Sequence, residues 1–202
     1  MLYLMAGYLG MFCGPMYSGK TSKILTLSNQ FDKIGVSNVI INHASDTRYT
    51  EKSELVSHDG VRKQCILSST LGEYHDPGKE TSVEAFFINE GQFFSDIVDW
   101  TTRMVSFPNC KKVYISGLDA DYQRKKFGNW LSLLPFADSI EKLKSVCGVC
   151  RDKPSVFSMR NVTRKEQVLV GTTEYTPVCR KCYESNCVKE LKLQCTDDIK
   201  DD

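Results

Sequence analysis

Short apolar runs alternate with amphipathic stretches over the first two thirds of the chain, and this predicts strands and helices in turn. Tyr8 to Cys13 (Tyr-Leu-Gly-Met-Phe-Cys) is a continuous apolar run of strand length. From Thr21 to Ile34, Ile24, Leu25, Leu27, Ser28, Phe31 and Ile34 recur at helical spacing, and Gly35 closes the pattern. Asn38 to His43 has the β-branched, apolar character of a buried strand, and Val83 to Ile88 and Lys112 to Ser116 supply two more. A helix is predicted from about Gln92 to Met104, with Phe93, Phe94, Ile97, Val98 and Trp100 as its apolar positions. Phe127 to Leu134 reads as a short helix stopped by Pro135, and Ser139 to Val146 as a strand. The polar stretch Ser45 to Gly60 belongs to loops. Such alternation implies a parallel sheet covered by helices, where ligands gather at the carboxyl ends of the strands.

Chemistry enters between the first strand and the first helix. Gly14-Pro15-Met16-Tyr17-Ser18-Gly19-Lys20-Thr21-Ser22 fits the phosphate-binding pattern G-x-x-x-x-G-K-[ST] without a mismatch. The glycines let the backbone turn tightly around an anion, Lys20 reaches the outer phosphates, and Thr21 presents a hydroxyl to magnesium. A helix beginning there adds its positive dipole end. The alternative is a glycine-containing turn that matches by chance, and the flanking strand and helix patterns speak against it.

Composition narrows the function classes. The chain has 202 residues, 41% hydrophobic and 25% charged, an ordinary globular balance. Its formal charge of +1 argues against a broad nucleic-acid footprint, while a small anionic ligand needs only a local site. No apolar stretch nears the roughly 20 residues of a membrane span. The start, Met1-Leu2-Tyr3-Leu4-Met5-Ala6-Gly7, lacks the basic residue of a secretory signal, so a cytoplasmic protein is expected.

Nine cysteines then need a reading. Five are scattered, but Cys147/Cys150 and Cys179/Cys182 form two C-x-x-C pairs, which suits tetrahedral zinc with no open position. Such a site clamps the excursion Arg151 to Val178 at its base. Four buried or loosely paired thiols are the plainer alternative. Beyond the quartet, residues 188–202 are highly charged and expected to fray.

Glu90 follows the uncharged strand residues Ala85 to Asn89 and precedes Gly91. Its carboxylate should emerge at the sheet edge, where it can take a proton from an attacking hydroxyl. A solvated loop glutamate is the alternative, and the phosphate loop favours the catalytic one.

The segments Gly14 to Lys20, Asp46-Thr47-Arg48-Tyr49, Glu90-Gly91-Gln92-Phe93-Phe94, Gly117-Leu118-Asp119, Gln123 to Gly128 and Cys179-Arg180-Lys181-Cys182-Tyr183 occur in one order. Over about residues 8 to 187 the chain thereby resembles the cytosolic type II thymidine kinases. The resemblance implies a RecA-like P-loop α/β domain over 7–146, a zinc-binding domain with a lasso loop over 147–187, and phosphoryl transfer from ATP to the 5′-hydroxyl of thymidine or deoxyuridine. It makes Glu90 the general base. Gly14, Pro15, Met16, Tyr17, Ser18, Gly19, Lys20, Thr21, Ser22, Asp46, Arg48, Asn89 and Gln92 fall to ATP and its magnesium, with Thr21 and Asn89 nearest the ion. Met16, Phe93, Leu118, Tyr122 and Phe127 wall the base pocket. Ser158 and Arg160 begin the lasso, Glu166, Gln167, Val168, Leu169 and Val170 run along the thymine edge, and Tyr175 closes over the deoxyribose. Structural zinc on the cysteine quartet, a homotetramer and feedback by thymidine triphosphate are implied as well.

This chain departs from the family where an aspartate usually precedes the catalytic glutamate, because it has Asn89. The lost charge corresponds to about 8 kcal/mol of raw attraction to a divalent cation at about 4 Å and a dielectric near 20, most of it cancelled by phosphate charge and hydration. A cost in magnesium affinity or rate is expected. Tyr122, where phenylalanine is common, and a fourth cysteine ligand, where some relatives use histidine, are milder departures. Three alternatives stay open: a P-loop kinase of another small hydroxyl substrate, a weakened paralogue, and a non-enzymatic zinc-ribbon nucleotide-binding module.

Overall fold

The computed structural model describes residues 6–46, 53–57, 59–72, 83–162, 166–167 and 174–186. Its strands are, in chain order, β1 (Tyr8–Cys13), β2 (Asn38–His43), β3 (Glu54–Val56), β4 (Arg62–Gln64), β5 (Ile66–Ser68), β6 (Ala85–Asn89), β7 (Lys112–Gly117), β8 (Ser139–Lys142), β9 (Ser145–Val146), β10 (Pro154–Ser155), β11 (Phe157–Arg160) and β12 (Tyr175–Val178). Six of them form one sheet in the order β5-β2-β6-β7-β1-β8. Every pairing in it is parallel. The β-branched and aromatic runs read from the sequence are its central strands, buried on both faces as parallel strands must be.

Strand alternation sends successive side chains to opposite faces. Phe87 and Ala85 pack with Phe12, Ile40 and the Ile24–Leu25 pair of helix α1 (Lys20–Lys33) on one side. Phe86 and Ile88 pack with Trp100 and Met104 of helix α2 (Ile97–Val105), and with Trp130 and Leu133, on the other. Each such side chain stabilises the fold by about 1.5–3 kcal/mol relative to exposure.

Five readings of the elements differ from the sequence analysis. The helix expected from Gln92 is broken into a 3-10 turn over Gly91–Phe93 and α2, because Phe94 is extended and Asp96 turns away. The Asp96 carboxylate accepts the Leu71 and Gly72 N–H groups at 3.1 and 2.7 Å, anchoring the chain after β5. Ile34 sits at the cap of α1 with 71% exposure and is not part of its buried face. Pro135 lies inside the 3-10 segment Trp130–Phe136 and does not stop it. The strand expected over Ser139 to Val146 divides at Leu143, whose N–H bonds Cys13 O at 2.8 Å, so β8 joins the main sheet while β9 pairs with β10. The polar stretch after Ser45 is not all loop, since β3 pairs with β4.

The C-terminal part is built from two small antiparallel pairs, β9 with β10 and β11 with β12. Its core is Cys147, Val178, Cys179 and Tyr183 with Phe157 and Met159 against them. Among the described residues no helix is long and apolar enough to cross a membrane.

Candidate active site

The parallel order brings the carboxyl ends of β1, β6, β7 and β2 to one edge, and the glycine-rich loop, Glu90, Leu118 and Asp46 follow those strands directly. They line one cleft. The loop turns through two left-handed residues, Tyr17 at φ 61° and Gly19 at φ 83°, and hands over to α1 at Lys20. At Gly19 a side chain would meet nothing within 4 Å, so the requirement there is conformational. Lys20 is buried, and its Nζ donates to Pro15 O at 2.6 Å and lies 3.5 Å from Ser18 Oγ. The ammonium is thus held inside the loop where an anion's oxygens would replace the carbonyl. Thr21 and Ser22 line the same cleft, and Ser22 Oγ donates to Asp59 at 3.2 Å.

Glu90 is 7% exposed and itself left-handed, at φ 57° and ψ 46°. A non-glycine residue there costs about 1–3 kcal/mol, and such strain clusters at functional sites. Gln92 fixes the carboxylate: its Nε2 donates to Glu90 Oε2 at 2.5 Å, while its Oε1 accepts the Leu118 N–H at 3.0 Å. The Asn89 side chain points into the sheet, 1% exposed, between Asn42 and Ser116.

Aromatic rings wall the other end. Phe93 meets Phe127 edge-on at 5.5 Å and the His43 ring at 5.4 Å. Burial holds His43 below its ordinary histidine pKa, and its Nδ1 accepts the Ser45 N–H. Tyr122 lies under the Arg160 guanidinium, 3.7 Å from ring centre to Cζ, and Arg160 also donates to the carbonyls of Glu166 and Gln167 and to the Tyr175 hydroxyl. Ser158 ties this part to the phosphate loop, its Oγ accepting the Met16 N–H at 2.9 Å. Gln167 donates to Asp121 at 2.8 Å and to Lys126 O.

The cleft therefore brings together Met16, Tyr17, Ser18, Gly19, Lys20, Thr21, Ser22, Asp46, Glu90, Gln92, Phe93, Leu118, Tyr122, Phe127, Ser158, Gln167 and Tyr175. Gly14, Pro15, Asn89, Arg160 and Glu166 are not among its lining residues. Arg48, Val168, Leu169, Val170 and the 188–202 tail lie outside the described residues. Sequence reading missed Asp121, which lines the cleft and organises the loop after β7: its Oδ1 accepts the Gln123 and Lys125 N–H groups at 2.9 and 2.8 Å. An aspartate two residues before a polar turn was the available signal. Asn42, beside Asn89, was missed because a strand amide announces nothing.

The four cysteines gather as the spacing requires. The sulfurs of Cys147, Cys150, Cys179 and Cys182 lie within 4.8 Å of one another, with Cys150 and Cys179 at 3.9 Å. Ligands about 2.3 Å from a tetrahedral zinc lie about 3.8 Å apart, so the set fits that ion. Burial pushes the Cys147 thiol up, but backbone N–H groups of Cys150, Cys179 and Val149 bring it down to about 6. Cys182 is pushed up to about 12, first by its bond to the Cys179 thiol and then by burial. Four crowded thiols share their charge unequally in this way until a cation accepts all of them. The module also reaches the pocket: Tyr183, next to Cys182, donates from its hydroxyl to Tyr122 O at 2.7 Å, and Arg124 lies over the rings of Tyr183 and Phe157 at 4.7 and 5.5 Å.

Comparison with known proteins gives this geometry its context. The family described as thymidine kinase is matched over residues 7–183. The thymidine kinase of Sheeppox virus (strain KS-1) is 33% identical over 178 residues, covering 88% of this chain and 97% of that protein. The cytosolic thymidine kinase of Bos taurus is 32% identical over 177 residues, 88% and 72% of the two chains. Thymidine kinase 1 of Dictyostelium discoideum is 35% identical over 185 residues, 90% and 79%.

Proposed function

This chain belongs to the thymidine kinase family, and on that premise we propose that it transfers the γ-phosphoryl group of ATP to the 5′-hydroxyl of thymidine or deoxyuridine. The observation that supports it best is one cleft lined at one end by Lys20 and the phosphate loop, at the other by Phe93, Tyr122 and Phe127, with Glu90 between.

The chain's own groups divide the work. Backbone N–H groups of residues 17–20 and the Lys20 ammonium take the polyphosphate. The Thr21 hydroxyl, with Asn89, would hold the magnesium of the nucleotide, which would spread the phosphate charge. Glu90, kept in one rotamer by Gln92, accepts the 5′-hydroxyl proton as the oxygen attacks phosphorus. The aromatic wall excludes water from that hydroxyl and stacks the base. Ser158, Gln167 and Tyr175, the last two bonded to Arg160, border the base edge, and a structural zinc on the four cysteines would clamp this part at its base. A cytoplasmic homotetramer with feedback by thymidine triphosphate is part of the same reading and rests on family resemblance alone.

A coupled assay with ATP, magnesium and a panel of deoxynucleosides tests the substrate. Thymidine and deoxyuridine should turn over well above purine deoxynucleosides, whereas absence of turnover with both would overturn the proposal.

A further inference from the structure

Asn89 is joined to a buried chain of polar groups whose direction is set at one end. The Ser116 hydroxyl donates to Asn89 Oδ1 at 2.8 Å, Asn89 Nδ2 donates to Asn42 Oδ1 at 2.9 Å, and Asn42 Nδ2 donates to Asp46 Oδ2 at 3.3 Å. Asn42, Asn89 and Ser116 are 2%, 1% and 0% exposed, so water does not substitute for a missing partner. Asp46 accepts through Oδ2, so Asn42 turns its NH2 toward it and its oxygen toward Asn89. Asn89 must then donate, which leaves its own oxygen for Ser116.

We propose that Asn42 is a positioning residue that joins Asp46 to the end of β6, immediately before Glu90, and that it is matched to Asn89: a carboxylate at 89 functions only beside a donor-only cation at 42. Placed opposite Asn42, a carboxylate at 89 sets two acceptors about 2.9 Å apart. Flipping the Asn42 amide relieves that contact and creates the same clash with Asp46. A lysine at 42 has three donors and no acceptor, and satisfies both carboxylates. The asparagine at 89 is therefore one half of a neutral pair, not a lone loss of charge, and its amide serves the sheet and the orientation of Asp46 before any ion.

The inference rests on the kinase reading for its catalytic half only, because the pair is also read by stability. The full chain is compared with Asn89→Asp, Asn42→Lys and the double variant, measuring Tm and thymidine phosphorylation. Asn89→Asp alone should lower Tm by about 5 °C at pH 8 and reduce kcat at least about tenfold, with no gain from the added charge. The double variant should regain most of both losses. Lowering the pH toward 5.5 should shrink the Tm deficit of Asn89→Asp, since a protonated carboxyl donates to Asn42 as the native amide does; this arm decides if the double variant does not fold. A single Asn89→Asp variant as stable and active as the native chain, a folded double variant no better than the singles, or a deficit independent of pH would overturn the proposal. Failure of the native chain itself to phosphorylate thymidine would reject the kinase reading and leave the Tm arms to judge the pair.

Discussion

Glu90 combines three properties that rarely meet in a surface glutamate: left-handed backbone, near-complete burial and a carboxylate held by one neighbouring amide. Its place was legible in the sequence because an uncharged strand ends on it and a glycine follows. The groups that hold the end of its strand were not, because Asn42 and Ser116 meet Asn89 through contacts between distant segments that no local pattern encodes. His43 gives this scale its pH prediction. Burial lowers its pKa in the folded state, so as the pH falls below the unfolded value of 6.5 the unfolded chain takes up the proton first and the native state loses stability. Above 6.5 the group contributes no slope. His43→Gln should flatten the dependence of Tm on pH between about 6.5 and 5; an unchanged slope would show that the ring is not the titrating group.

At the scale of elements, the central strands and α1 follow from apolar runs and helical spacing, and the phosphate loop follows from its own motif. The expected Gln92–Met104 helix failed for a tertiary reason: Phe93 faces the cleft and Phe94 the core, and a single helix face cannot serve both. The cysteine quartet was legible from spacing, but its link to the base pocket was not. That link runs through Tyr183, one residue beyond the last cysteine, to the carbonyl of Tyr122. Tyr183→Phe should raise KM for thymidine about threefold to tenfold and leave KM for ATP unchanged. Elemental analysis should find about one zinc per chain, and chelating it should move the same constant in the same direction. Equal effects on both substrates would indicate general loosening instead of a path from the metal to the nucleoside side.

Over the whole molecule, the sheet order β5-β2-β6-β7-β1-β8 makes the site. It sets the strand carrying the glycine-rich loop one position from the strand carrying Leu118 and two from the strand carrying Glu90, so all three share one edge. Alternation in the sequence predicts a parallel sheet but not this order, which is fixed by crossovers between distant segments. In the proposed division of labour, phosphate binding belongs to the loop and proton acceptance to Glu90. The most direct test is single-turnover transfer from γ-labelled ATP to thymidine by the native chain and by Glu90→Gln, with ATP affinity measured on both. Transfer should fall by about 10²–10⁴-fold in Glu90→Gln while ATP affinity stays within about threefold. Transfer at close to the native rate would contradict the assignment of the base.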